Sequence, residues 1–89
     1  MNSPEPNNNK VDSLLLEQVY FNLEYAKILA LRCNNTSKRN VLLKLLDLCR
    51  TRVDKQIYPI EHCWEASFNC VKILQEQQNQ PDFQFDFEQ

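Results

Sequence analysis

Residues 13–33, SLLLEQVYFNLEYAKILALRC, decide the fold. Leu15, Leu16, Val19, Leu23, Ala26 and Ala30 recur at helical spacing and form one apolar face, where a half-buried strand would alternate. The predicted helix runs from about Ser13 to Cys33, with Asp12 or Ser13 capping its free N–H groups. Asn34-Asn35 ends it, because asparagine tolerates the left-handed backbone that a helix C-terminus favours. A second apolar stripe, Leu14, Phe21, Tyr25 and Ile28, lies about 140–180° from the first at ~100° per residue. A helix that is apolar on opposite sides needs cover on both.

Working outward, Thr36 or Ser37 is expected to cap a second helix reaching about Gln56. Its face is Leu42, Leu45, Leu46, Cys49 and Val53, with Val41, Leu43 and Leu48 widening the apolar arc. Pro59 disfavours helical geometry at Tyr58, so a break falls there, and a third helix follows from Pro59 to about Gln78. Ile60, Cys63, Trp64, Ser67, Cys70, Val71 and Leu74 make its face, with Phe68 at the edge. The predicted fold is all-α, a small antiparallel three-helix bundle over residues 12–78. The alternative is a helical hairpin whose long second helix is kinked at Pro59. Residues 1–11, rich in Asn and Pro, read as a disordered tail, and residues 79–89 as an acidic-aromatic tail.

The chain of 89 residues contains no glycine, where average usage would supply roughly six. Phosphate-cradling loops and nucleophile elbows need glycine where backbone approaches a ligand, so nucleotide-dependent catalysis loses its usual framework. Cys33, Cys49, Cys63 and Cys70 lack the close pairing of a closed zinc site, and His62 adjoins Cys63 where the two point apart on a helix. The four are read as reduced thiols, used as small hydrophobes. The reading is of a protein that is not an enzyme, with no cofactor and no metal. No stretch reaches the ~20 apolar residues of a membrane span, and residues 1–10 lack a signal-peptide pattern. A cytoplasmic or nuclear location is the expectation.

Charge is uneven. Residues 38–55 carry six basic groups against Asp47 and Asp54, a net of +4, whereas residues 56–89 carry Lys72 against six acids, a net of −5. Lys44, Arg50, Arg52 and Lys55 are the candidates for contacting an acidic partner or phosphates. Their angles scatter around the helix and the chain's pI is near 5.3, so nucleic-acid association is the alternative reading. Phe83, Phe85 and Phe87 alternate with polar residues, which places all three on one side of an extended strand. They are expected either to pack in cis, against the bundle or its basic helix, or to dock on another protein.

The leading functional expectation follows from apolar surface in excess of what three helices can cover. It is a helical adaptor or complex subunit, coiled-coil-like in its heptad spacing, that meets a protein partner in a hetero- or homo-oligomer. The partner-binding candidates are Leu14, Phe21, Tyr25 and Ile28, with Phe83, Phe85 and Phe87 as a second contact.

Overall fold

The computed structural model of this chain describes residues 4–79, with side chains over residues 11–78. Three helices follow one another: α1 (Pro4–Leu31), α2 (Thr36–Asp54) and α3 (Ile60–Glu76), closed by a 3-10 turn at Gln77–Asn79. The described residues contain no strand, and the fold is the all-α three-helix bundle that the periodicity predicts.

Cross-helix bonds give the topology. Tyr20 and Glu24 of α1 meet Asp54 and Arg50 of α2, so these helices run antiparallel. Gln18, Asn22 and Tyr25 of α1 meet Trp64, Ser67 and Gln75 of α3 in ascending order, so α1 and α3 run parallel. The chain therefore goes up, down and up. Both later helices lean on α1, and α2 and α3, whose backbones approach less closely, meet through the hydrogen-bonded side chains of Cys49 and Cys70.

That arrangement explains the core. Val19, Leu23, Ala26 and Ala30 of α1 are buried as their spacing requires, together with Leu29 and Cys33. The last two widen the face because α1 is flanked on two sides. Leu46 and Val53 come in from α2, and Cys63, Val71 and Leu74 from α3. Two positions expected on inward faces stay open. Leu45 is 52% exposed, since it sits on the flank of α2 that α3 does not close. Leu16 is exposed where α1 leaves the bundle near the α2–α3 connection.

Several boundaries differ from expectation. Helix α1 begins at Pro4, ahead of the start expected near Ser13. Pro4 and Pro6 stand in the first turn, where N–H groups have no intrahelical acceptor and proline sacrifices no bond. Asp12 and Ser13 accordingly lie inside the helix and cap nothing. The cap of α2 is Asn35 rather than Thr36 or Ser37. Its Oδ1 accepts from the Lys38 N–H at 2.9 Å, and its φ of −80° is extended, not left-handed. The kinked-hairpin alternative is overturned, because α2 stops at Asp54 and the chain turns before α3. Pro59 occupies the N-cap position of α3, one residue outside the helix predicted to begin with it.

The turn after α2 shows how a glycine-free chain ends a helix. Gln56 takes φ 57°, the one positive value among the described non-glycine residues. Its N–H donates to Val53 O at 3.0 Å, and the Ile57 N–H donates to Arg52 O at 3.2 Å. This is the paired 6→1 and 5→2 closure of a Schellman motif, at a position that usually holds glycine. A side chain there costs roughly 1–2 kcal/mol of steric strain, partly recovered from the lower entropy of a non-glycine unfolded chain. Gln56→Gly is expected to raise stability by up to about 1 kcal/mol, and β-branched Gln56→Val to lower it by at least as much. Urea denaturation followed by circular dichroism reads both. Equal midpoints for the three chains would show that the turn carries no strain.

Candidate interaction surface

Each functional candidate can be placed from the packing of α1. Leu14, Phe21 and Ile28 point away from both neighbours and are 59%, 69% and 50% exposed. Val11 continues the row toward the N-terminus and is also exposed, a residue that sequence reasoning did not include. Tyr25 differs from the rest of its predicted stripe. It is half-buried against the core, and its hydroxyl accepts from Gln75 Nε2 at 3.4 Å. The bundle thus leaves most of the second stripe uncovered.

Helix α3 extends this surface sideways. Trp64 donates its indole N–H to Gln18 Oε1 at 2.7 Å, which ties the ring to α1 beside the stripe. Phe68 stacks on Trp64 with centroids 5.3 Å apart and planes 6° from parallel, and remains exposed. Phe68 is one helical turn beyond Trp64, and Phe21 one turn beyond Gln18, so the two phenylalanines stand at the same level. Beneath them Asn22 Nδ2 donates to Ser67 Oγ at 3.2 Å, and Ser67 donates to Trp64 O at 2.8 Å. That chain satisfies Ser67, the one polar residue buried among the described residues. Glu17, Glu61 and Glu65 are exposed around the N-terminal half of this face.

The basic residues of α2 do not act as one patch. Arg50 reaches Glu24 at 3.1 Å and lies over the Tyr20 ring at 5.2 Å. Arg39 donates to Cys33 O at 3.3 Å. Both hold α2 to α1. Lys44 lines a shallow pocket between α1 and α2, whereas Arg52 lines a separate cleft between α2 and α3. Lys55 follows Asp54 as the C-cap of α2 and is exposed. The four candidate cations of the sequence reading are therefore divided among different sides.

That cleft has a volume of about 240 Å³, with Val19 and Leu23 of α1 on its floor and Cys49, Arg52, His62 and Ala66 in its walls. It falls below the ~300–1,000 Å³ of ordinary small-molecule sites. All four cysteines are unpaired. Burial pushes the Cys63 and Cys70 thiols up, and the neighbouring Cys49 raises both further. Thiols so placed stay protonated at neutral pH and make poor nucleophiles. Among the described residues, no group of three or more His, Cys, Asp or Glu side chains is placed to hold a metal ion. No helix of the described residues is long and apolar enough to cross a membrane. Phe83, Phe85 and Phe87 lie outside the described residues.

The Tyr20 hydroxyl donates to Asp54, and this bond is the main reason its pKa is raised above the ordinary 10.0, with burial next. A group whose folded pKa is raised contributes stability fully present below its unfolded value and lost as pH rises through the folded one. The α1–α2 latch is therefore intact at neutral pH and weakens only above about pH 10. Tyr20→Phe should remove this alkaline loss, giving a flatter stability curve above pH 10 than the unsubstituted chain. Urea midpoints across alkaline pH test it, and superimposable curves would show that the latch carries none of the dependence.

Compared with family models, curated proteins and solved structures, the chain matches none.

Proposed function

We propose that this chain is a non-enzymatic helical subunit that binds an amphipathic helix of another protein along its α1–α3 face. The observation that carries the reading is the exposed row on α1. Val11, Leu14, Phe21 and Ile28 are all at least half exposed, with half-buried Tyr25 and hydrogen-bonded Gln18 completing the series. Positions 11, 14, 18, 21, 25 and 28 alternate steps of three and four, the spacing of a seam that receives a second helix. Trp64 and Phe68 add an aromatic shoulder of the kind enriched at binding hot spots.

The rim specifies the partner's chemistry further. Glu17, Glu61 and Glu65 favour a helix carrying lysine or arginine at the end that lies beside the N-terminal half of α1. Exposed apolar side chains at this density supply affinity through burial, at roughly 25 cal/mol per Å² removed from water before the costs of association. Arg50 and Arg39 are committed to holding α2, so no comparable surface supports a nucleic-acid reading.

Phe21→Glu combined with Ile28→Glu should abolish partner binding while leaving the fold intact, since surface substitutions usually change stability by about 0.5 kcal/mol or less. Leu29→Ala, in the core, should instead cost about 2–5 kcal/mol, a large share of what so small a domain possesses. A photo-crosslinking amino acid introduced in cells at position 21 or 28 should give a discrete adduct with one other chain. The same group at position 51, exposed on α2, should not. Equal adducts from positions 21 and 51, or none from position 21, would sink the reading.

A further inference from the structure

Of the four thiols in this bundle, two are engaged by backbone. Cys33 Sγ donates to Asn35 O at 3.6 Å and Cys63 Sγ donates to Tyr58 O at 3.8 Å, and both residues are buried. Cys49 of α2 and Cys70 of α3 are only half-buried, and they meet each other: their side chains are hydrogen-bonded across the helix pair. Cys49 lines the cleft that Arg52 and His62 also line, and Cys70 lines a smaller apolar hollow with Leu45, Ile73 and Leu74. The sulfur contact thus lies between two recesses, at the side of the bundle where the backbones approach less closely than they do around α1.

We propose that Cys49 and Cys70 form a reversible disulfide that clasps α2 to α3 when the chain meets a low-molecular-weight disulfide such as oxidised glutathione. The Cys49 thiolate attacks one glutathione sulfur, the glutathione S–S bond breaks, and one glutathione leaves as its thiolate. The Cys70 thiolate then attacks the Cys49 sulfur of this mixed disulfide and expels the second glutathione. The two protons of the protein thiols end on the two glutathiones, and the two electrons given up by the protein cysteines reduce the oxidant. Cys49 takes the first step because its cleft is the larger, about 240 Å³ against about 130 Å³. Arg52 in the same cleft offers a cation to a glutathione carboxylate. Burial holds the Cys70 thiol protonated, which suits it to the second step, where its target is already in contact and the attack is intramolecular.

Geometry selects this pair over the others. A disulfide requires Cα atoms within ~7 Å of each other, whereas Cys63 and Cys70 stand about 10 Å apart along α3 at ~1.5 Å per residue. Cys33 precedes α2, and Cys49 lies about 20 Å further along that helix. Cys63 shares the cleft with Cys49, but its sulfur is turned to the Tyr58 carbonyl. The Cys49 and Cys70 sulfurs start in hydrogen-bond contact and have only to close to the ~2.05 Å of a disulfide. The bond would join the two helices that approach each other least, in a domain of the size that commonly depends on a covalent staple. It concerns a different side of the bundle from the proposed partner seam and does not depend on that reading.

The test is equilibration of the full chain with oxidised and reduced glutathione at increasing ratio, followed by mass spectrometry of the monomer. The oxidised monomer should be lighter by two hydrogens, and dithiothreitol should restore the original mass. Digestion with trypsin and a glutamate-specific protease, which cuts after Glu65 and so separates Cys63 from Cys70, should give a peptide joining Cys49 to Cys70. The urea midpoint of the oxidised form should rise by about 1–3 M over the reduced form, as expected for closing a loop of this length. Cys49→Ser and Cys70→Ser, made separately, should each abolish the mass change and the midpoint shift, whereas Cys63→Ser should keep both. The peptide map of the unsubstituted chain decides the pairing even where a serine variant folds poorly. A monomer that stays reduced in excess oxidised glutathione, or that stops at a glutathione adduct, would overturn the proposal. So would a map joining any other pair, a bond formed only between molecules, or an oxidised midpoint no higher than the reduced one.

Discussion

Everything in this bundle depends on α1 serving two helices at once. Val19, Leu23, Ala26, Ala30 and Cys33 make a narrow surface of small and medium side chains on which α2 and α3 each come to rest. Small residues let helix axes approach toward the lower part of the usual 8–10 Å range, so α1 can sit deep between its neighbours. As a result α2 and α3 are held mainly through a shared third helix, with the Cys49–Cys70 contact joining them directly. A conventional bundle closes the triangle. This one closes its third side less tightly, and Leu45 and Ile73 beside the Cys49–Cys70 contact stay half-exposed.

The polar contacts fix alignment more than they supply stability. Arg50 and Glu24 are each about half exposed, which puts their pair in the range of ~0–1 kcal/mol once screening is counted. Their position matters more, because Arg50 also covers Tyr20, and Tyr20 in turn holds Asp54 at the end of α2. The three contacts set the antiparallel register of α1 and α2. On the other side the Gln18–Trp64 and Asn22–Ser67 bonds set the parallel register of α1 and α3. An indole N–H and a buried serine would be expensive to leave unpaired, so a slip by one turn is penalised twice.

The elements most legible in the sequence are those whose periodicity has a single physical cause. The face of α3 was readable almost residue by residue, since one stripe meets one neighbour. Leu29 escaped because α1 has two neighbours, and a residue between two faces belongs to neither when read by spacing alone. Leu45 erred the other way, for a helix wheel assumes that an apolar stripe finds cover along its whole width. The start of α1 was missed because proline and asparagine argue against helix in general, yet proline in a first turn loses nothing. The outward row of Leu14, Phe21 and Ile28 was visible from its sevenfold spacing. The aromatic shoulder beside it was not, because only the parallel alignment of α1 and α3 brings Phe68 level with Phe21.

The absence of glycine bears on chemistry and on mechanics together. A chain that ends its second helix on a left-handed glutamine, and turns its first corner on an asparagine cap, has short connections with little backbone freedom. Such connections resist hinge motion, because non-glycine residues have few alternative φ/ψ wells to visit. The helices therefore present their outward side chains on a fixed frame, and ordering costs on binding fall mainly on exposed rotamers. Phe21, Trp64 and Phe68 suit this role, being aromatic side chains with few rotatable bonds and large area.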